Sequence, residues 1–143
     1  PVDTDVLVHS EDGADARKQD QALAWLGELW QRRCGRVSTQ VLNEFYVNAT
    51  RRITPPMPAG DARAEVRRYQ RWNPWVVDHA PVEAAWAVES RYGLSCWDAL
   101  MVAAAQQQGC VILLTEDLQH DQRIDQVRIV NPFLVGPEAL EAT

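Results

Sequence analysis

The sequence predicts one α/β domain in which a sheet of parallel strands is layered with helices. Segments with helical periodicity alternate along the chain with short, β-branched, apolar segments. Residues 111–115 are continuously apolar, as expected of a parallel strand that is covered on both faces. With 143 residues, 46% of them hydrophobic, the chain can bury one good core but not two, so we expect a single domain over residues 1–143.

The predicted strands are short and end at polar or turn-forming residues. Only Pro1 and Val2 precede Asp3, so either the first strand is very short or further residues precede it. The segment from Asp5 to Val8 is also compatible with a first helical turn, and the sequence leaves this open. The remaining predicted strands are 36–38, 75–77, 111–115 and 127–130.

The predicted helices rest on apolar residues spaced three and four apart, and on capping and stop residues. Either Ser38 or Thr39 is the expected N-cap of one helix and Ser95 that of another, and Gly35, Gly93 and Gly109 are the expected C-terminal stops. The helical segments are 15–33, the stripe 41–49, 61–72, 81–92, the apolar segment 99–105 and a closing segment 137–142.

Composition narrows the class of protein. The net charge of −6 argues against a nucleic-acid binder held by overall positive charge. The basic residues are 13 Arg and one Lys, and several Arg are clustered, so a local basic groove beside an acidic pocket is still compatible with the sequence.

Cysteine usage and hydropathy indicate a cytoplasmic protein that does not enter a membrane. Cys34, Cys96 and Cys110 are odd in number and lack C-x-x-C spacing, which argues against a disulfide framework or a zinc site. The longest apolar run, 99–105, is far shorter than the roughly 20 residues that a membrane span needs.

Three acids are expected at one edge of the sheet. Asp3 and Asp117 each follow a predicted strand, and Asp98 lies in the first turn of a helix that is apolar on nearly every side. Two carboxylates 4 Å apart repel by about 4 kcal/mol at an effective dielectric constant near 20, so such a cluster must hold protons or bind cations. Oxygen ligands alone favour Mg²⁺ or Mn²⁺ over Zn²⁺. From the residues alone, Asp98 is equally compatible with a helix cap, and Asp117 with a turn residue.

A row of arginines supplies a second candidate feature. Arg63, Arg67 and Arg71 fall near one side of a predicted helix, with Trp72 and Trp75 following. Such a row is compatible with a hydrated face, with a partner surface, or with a ridge that contacts phosphates while the tryptophans stack on bases.

Five segments together resemble the PIN-domain family. Residues 3–8, D-T-D-V-L-V, resemble the family's D-T-N-V-L opening, and 38–44 resemble its S/T…E helix. Residues 95–100 resemble the segment with the third acid, and 114–118, L-T-E-D-L, resemble its L-T-x-D-L segment. Residues 123–134 resemble the R-I-x-x-V-x-I-x-N-P-F ending of the VapC group, the toxin ribonucleases of toxin–antitoxin pairs.

The resemblance implies a three-layer, Rossmann-like fold with a central parallel sheet of strand order 3-2-1-4-5. It also implies that Asp3, Glu44, Asp98 and Asp117 surround one or two divalent ions, Mg²⁺ or Mn²⁺. Glu44 enters this set by family position only, since periodicity alone favours a solvated helical acid.

Other positions follow from the same comparison. Thr4 and Thr115 match hydroxyl positions that orient the acids. Asp5 replaces the family's usual Asn, which leaves open whether it binds metal or supports a ligand. The residues that would hold RNA phosphates are Arg51, Arg52, Arg63, Arg67 and Arg71.

The function implied is that of a metal-dependent endoribonuclease, the toxin of a toxin–antitoxin pair, which is silenced by a small antitoxin protein and usually forms a homodimer. Two other classes compete. Haloacid dehalogenase-type phosphohydrolases also open with D-x-D, but Lys18, the one lysine, lies too close to Asp3 for their usual pattern. A non-catalytic module that binds RNA or protein would not need four mutually repelling acids.

Overall fold

The computed structural model describes residues 1–76 and 79–142. The α-helices in these ranges are α1 (Thr4–Glu11), α2 (Ala16–Arg32), α3 (Thr39–Arg51), α4 (Ala59–Tyr69), α5 (His79–Tyr92) and α6 (Cys96–Gln107). The strands are β1 (Ile112–Leu114), β2 (Arg123–Ile124) and β3 (Val127–Val130), and 3₁₀ segments cover Gln70–Trp72 and Pro137–Ala142. The predicted α/β class is confirmed.

The sheet is mixed, which corrects the prediction of a parallel sheet. β1 and β3 are parallel, with Leu113 opposite Ile129, whereas β2 runs antiparallel to β3. Only two residues separate β2 from β3, and Asp125 adopts a φ of 54° there. Two residues can join antiparallel strands but cannot carry the crossover that parallel strands require.

The predicted first three strands form isolated bridges in the described residues. Val2 pairs in parallel with Leu114, and Ser38 pairs in parallel with Trp75. The Val2 amide also donates to the Arg36 carbonyl at 3.0 Å. These bonds join the segments in the succession that the order 3-2-1-4-5 requires, but they do not form a continuous five-stranded sheet. That order therefore stays a prediction.

Two of the three expected glycine stops are used as predicted. Gly93 and Gly109 follow α5 and α6 with φ values of +68° and +69°, which glycine adopts without steric cost. At the end of α2, however, the left-handed residue is Arg33, with a φ of 55°. Gly35 serves close packing instead, because a Cβ atom there would lie 2.4 Å from the Trp72 ring.

Several boundaries also differ from the predictions. α1 confirms a helix directly after Asp3. α4 begins at Ala59 rather than at residue 61, and the predicted helix through Trp72 ends in 3₁₀ geometry. The closing segment 137–142 is 3₁₀ rather than α-helical. Val77, in the predicted strand 75–77, lies outside the described residues.

The core positions the start of α1. Val2, Val6 and Leu7 are fully or almost fully buried in the hydrophobic core that also contains Leu114 and Val102. Because these side chains are buried, residues 1–3 are held beside the end of β1, where Val2 pairs with Leu114. In the ranges described, no helix combines the length and apolarity that a membrane crossing needs.

Candidate metal centre

Asp3 is the N-cap of α1 and is 5% exposed. Its Oδ1 atom accepts a hydrogen bond from the Thr4 amide at 2.7 Å, and its Oδ2 atom accepts one from the Thr115 hydroxyl, also at 2.7 Å. The Asp3 amide donates to the Leu114 carbonyl at 3.0 Å. The carboxylate is thus held by the start of one helix and the end of one strand.

Asp117 is tied to the same threonine. The Thr115 hydroxyl accepts from the Asp117 amide at 3.1 Å while it donates to Asp3. Thr115 is buried, whereas Asp117 is exposed. One hydroxyl therefore bonds both the Asp3 carboxylate and the Asp117 main chain.

Asp5 completes a group of three acids. One carboxylate oxygen from each of Asp3, Asp5 and Asp117 lies within 4.8 Å of the others. Asp5 lies in the first turn of α1, where one residue of helix separates it from the cap. Among the residues described, this group brings together two of the four predicted ligands, with Asp5 as the third member.

The local field disfavours negative charge at these positions. Burial raises the pKa of Asp3 to about 6 against the lowering effect of its bonds to Thr115 and Thr4, and the charge of Asp117 raises it further. Burial, followed by the charges of Asp117 and Asp3, raises the pKa of Asp5 to about 7. Without a cation to compensate their charge, these close carboxylates therefore begin to take up protons close to neutral pH.

The donor set fits a hard divalent cation. It consists of carboxylate oxygens, with hydroxyls behind them, and no sulfur or imidazole belongs to the group. Such ligands suit Mg²⁺ or Mn²⁺ rather than Zn²⁺.

Glu44 is connected to this site through Thr4. The Thr4 hydroxyl donates to Glu44 Oε2 at 2.8 Å, so that Thr4 joins α1 to α3. Glu44 lines an open groove of about 770 Å³ on the outer face of α3, together with Arg52 and Asn43. The resemblance pointed to both Thr4 and Glu44, and this hydrogen bond places them in contact.

Asp98 lies in the first turn of α6, where its amide donates to the Ser95 hydroxyl at 3.1 Å. The N-cap prediction for Ser95 is confirmed. Asp98 is half-buried, and its carboxylate is outside the group that Asp3, Asp5 and Asp117 form. Its role as a ligand stays a prediction.

The arginine row divides into two sets. Arg63 lies over the Tyr46 ring, with 5.8 Å from its guanidinium carbon to the ring centroid, and Arg67 and Arg71 are exposed. Arg68 turns towards α2, where it lies 4.6 Å from the Trp30 ring centroid.

The stacking role considered for Trp72 is wrong. Trp72 is 4% exposed, and its ring packs 4.8 Å from Trp30 and 4.9 Å from Tyr69, measured between centroids. A base cannot reach a buried ring. Trp75 is half-buried and bridges to Ser38, while Arg51 and Arg52 are exposed near the end of α3.

Sequence reasoning missed the contacts of Glu116, which lies between Thr115 and Asp117. Glu116 pairs with Lys18 at 2.7 Å and contacts His9 at 3.2 Å. Nothing local to residues 9, 18 and 116 reveals that they meet, apart from the use of Lys at a single position in an arginine-rich chain.

Comparisons with known proteins identify the fold and the family. The fold is similar to the crystal structure of VapC20 of Mycobacterium tuberculosis, a sarcin–ricin loop cleaving toxin, with a TM-score of 0.57 and 21% sequence identity. That similarity covers 81% of this chain and 88% of VapC20. A search of curated proteins finds no significant match. The sequence pattern of the PIN domain matches residues 2–125, which span most of the chain and all of the acids discussed above. The chain therefore belongs to the PIN-domain family.

Proposed function

We propose that this protein is a divalent-metal-dependent endoribonuclease and the toxin of a toxin–antitoxin pair. The observation that carries the proposal is the approach of the Asp3, Asp5 and Asp117 oxygens to within 4.8 Å of one another in a PIN domain. Membership of this family argues against the phosphohydrolase alternative, and Lys18 contacts Glu116 rather than Asp3.

The proposed ligands are Asp3, Asp5 and Asp117, with Glu44 and Asp98 completing the acid set from α3 and α6. Mg²⁺ and Mn²⁺ both suit these oxygen ligands. When bound, such an ion supplies an activated water and neutralises charge that develops on the phosphate. The positive charge of the ion would offset the repulsion between the carboxylates, which explains how these acids can share one site.

The chain's own groups hold the acids in place. Thr115 donates to Asp3 and accepts from the Asp117 amide, which keeps both acids at the end of β1. The Thr4 amide donates to the Asp3 carboxylate, and the Thr4 hydroxyl donates to Glu44. Because each threonine serves two partners, the acids need little rearrangement on binding a cation, and this preorganisation favours catalysis.

The proposed substrate is RNA. Arg52 shares the outer groove of α3 with Glu44, and the neighbouring Arg51 is exposed. Arg67 and Arg71 are exposed on and just after α4, which packs against α3. These cations would hold phosphates by charge-assisted hydrogen bonds beside the acids.

The proposed partners follow from the likeness to VapC toxins. They are a small antitoxin protein that silences the nuclease and a second copy of the chain in a homodimer. We propose that the protein acts in the cytoplasm, where its RNA substrate is found.

The first test is cleavage of total RNA and of a synthetic sarcin–ricin loop, since VapC20 cleaves that loop. We expect cleavage with Mg²⁺ or Mn²⁺, none in chelator, and products with 5′-phosphate and 3′-hydroxyl ends, because water is the nucleophile. Mapping of product ends checks this. A 2′,3′-cyclic phosphate would mean that the RNA 2′-hydroxyl attacks, and absence of any cleavage despite metal binding would favour the non-catalytic module.

A second test concerns the arginine row. Replacing Arg63, Arg67 and Arg71 with Ala should lower the slope of log affinity against log salt by about 0.7 per lost contact, or about 2 in all, for single-stranded RNA. Binding is measured in chelator so that cleavage does not interfere. The matched control replaces Arg32, Arg91 and Arg128 with Ala. This variant loses the same charge, but its three arginines pair with acids elsewhere in the protein. Equal slopes for the two triple variants would assign the row to a hydrated or partner surface.

A further inference from the structure

The Glu116 carboxylate contacts two side chains that belong to other elements. Its Oε2 atom lies 2.7 Å from Lys18 Nζ, and its Oε1 atom lies 3.2 Å from His9 Nε2. Lys18 belongs to α2 and His9 to α1. The segment that carries Thr115 and Asp117 is thus fastened to both helices through the one residue between them.

The surroundings of this contact make it more than an exposed ion pair. The side chains of Lys18 and Glu116 are 30% and 21% exposed. The Phe133 ring covers the pair, with Lys18 Nζ 5.0 Å from its centroid and the His9 ring edge-on to it at 5.1 Å between centroids. Partial exclusion of water strengthens an ion pair that would contribute little on an open surface.

Glu116 directly precedes Asp117, a member of the acid group, in the chain. A Glu116 side chain released from Lys18 could therefore turn towards Asp117 and disturb the arrangement of the acids. The contact with Lys18 prevents this.

We propose that Glu116 is a positioning residue of the metal centre, held by Lys18 and His9 so that Thr115 and Asp117 face Asp3. Three consecutive residues then have separate roles. Thr115 orients Asp3, Glu116 anchors the segment, and Asp117 contributes its carboxylate. This inference rests on the proposed function, because it concerns the geometry of the same metal centre.

The direction in which Lys18→Met changes metal affinity distinguishes a positioning role from simple electrostatics. Lys18 is a cation near a site for a cation, so Coulomb's law alone predicts that Lys18→Met tightens metal binding. Positioning predicts the opposite, because loss of Lys18 frees Glu116 and loosens Asp117. Loss of residues that orient metal ligands typically weakens affinity by about 10- to 100-fold.

The experiment measures Mn²⁺ affinity by titration calorimetry on the full chain. We expect Lys18→Met to weaken binding by about 10- to 100-fold, and Lys18→Arg, which keeps the charge, to remain close to wild type. Arg32→Met is the matched control. It removes one cation from the same helix, where Arg32 pairs with Glu28, and should leave Mn²⁺ affinity unchanged.

A double-mutant cycle tests whether Lys18 acts through Glu116. In a Glu116→Ala background, Lys18→Met should cause no further loss of Mn²⁺ affinity, since the contact is already absent. An equal loss in both backgrounds would overturn the proposal, as would Lys18→Met binding Mn²⁺ as tightly as wild type or more tightly. Melting curves in chelator show that each variant is folded.

The outcomes distinguish this inference from the proposed function. If wild type itself does not bind Mn²⁺, the metal centre is wrong. If wild type binds Mn²⁺ and Lys18→Met binds it equally well, the metal centre stands and the positioning role of Glu116 fails.

Discussion

Asp3→Asn is expected to reduce RNA cleavage by more than about 100-fold, since changes in residues that only orient metal ligands already cost 10- to 100-fold. The Asp3 carboxylate is buried, hydrogen-bonded on both oxygens and within 4.8 Å of two other acids. Asn keeps the shape and can still accept from the Thr4 amide, but it lacks the charge that attracts a cation. The measurement is the cleavage rate at saturating Mg²⁺, together with Mn²⁺ affinity.

The matched control is Asp20→Asn, the same chemical change at an exposed position of α2. It should cleave RNA at the wild-type rate. Unchanged cleavage by Asp3→Asn would contradict the metal centre, provided that melting curves show both variants folded. The same assay on Asp98→Asn decides the role of the fourth acid. Loss of cleavage supports Asp98 as a ligand, whereas wild-type activity identifies it as a residue of the helix start only.

Asp5→Asn is expected to raise the melting temperature of the metal-free protein at neutral pH. Burial and the charges of Asp117 and Asp3 raise the pKa of Asp5 to about 7, so keeping this carboxylate ionised costs folding free energy. A pKa of about 7 in place of the ordinary value near 4 corresponds to a cost of about 4 kcal/mol in folding free energy. Because this group is partly exposed, solvent reduces that cost to about 1–2 kcal/mol. For a chain of this length, that corresponds to an increase of about 3–8 °C.

The pH dependence of stability gives the direction of this effect. The folded state binds more protons than the unfolded state between the ordinary Asp pKa near 4 and the raised values, about 6 for Asp3 and about 7 for Asp5. The stability that protonation confers is fully present below about pH 4 and is lost as the pH rises through 7. Metal-free wild type should therefore melt higher at pH 5 than at pH 8, and Asp5→Asn should reduce that difference.

Mg²⁺ should reverse the order of the two proteins. At 100 times its dissociation constant, a ligand stabilises the native state by about 2.7 kcal/mol, and the variant lacks one of the acids that bind it. Melting curves of wild type, Asp5→Asn and Asp20→Asn at both pH values, with and without Mg²⁺, complete the test. Coincident midpoints for wild type and Asp5→Asn in every buffer would show that Asp5 is not strained by its neighbours.

Features that depend on local spacing were predictable from the sequence alone. Helical periodicity and capping residues located most of the helices, since both act within one or two turns. The approach of Asp3 to Asp117 was also predictable, because both follow short apolar segments whose ends meet at one edge of a layered α/β fold. Family motifs in residues 3–8 and 114–118 pointed to the same acids.

Which side chains meet became clear only from the three-dimensional packing of the chain. That Asp5 joins Asp3 and Asp117, and that Glu116 turns to Lys18, depends on contacts between residues about 100 positions apart, which no local pattern encodes. The burial of Trp72 likewise follows from the close approach of Gly35 to its ring. Local sequence limits where a carboxylate can be placed along an element, but the packing of α1, α2 and β1 against one another sets its direction. Because charges interact through space rather than along the chain, the electrostatics of the site emerge only with the fold.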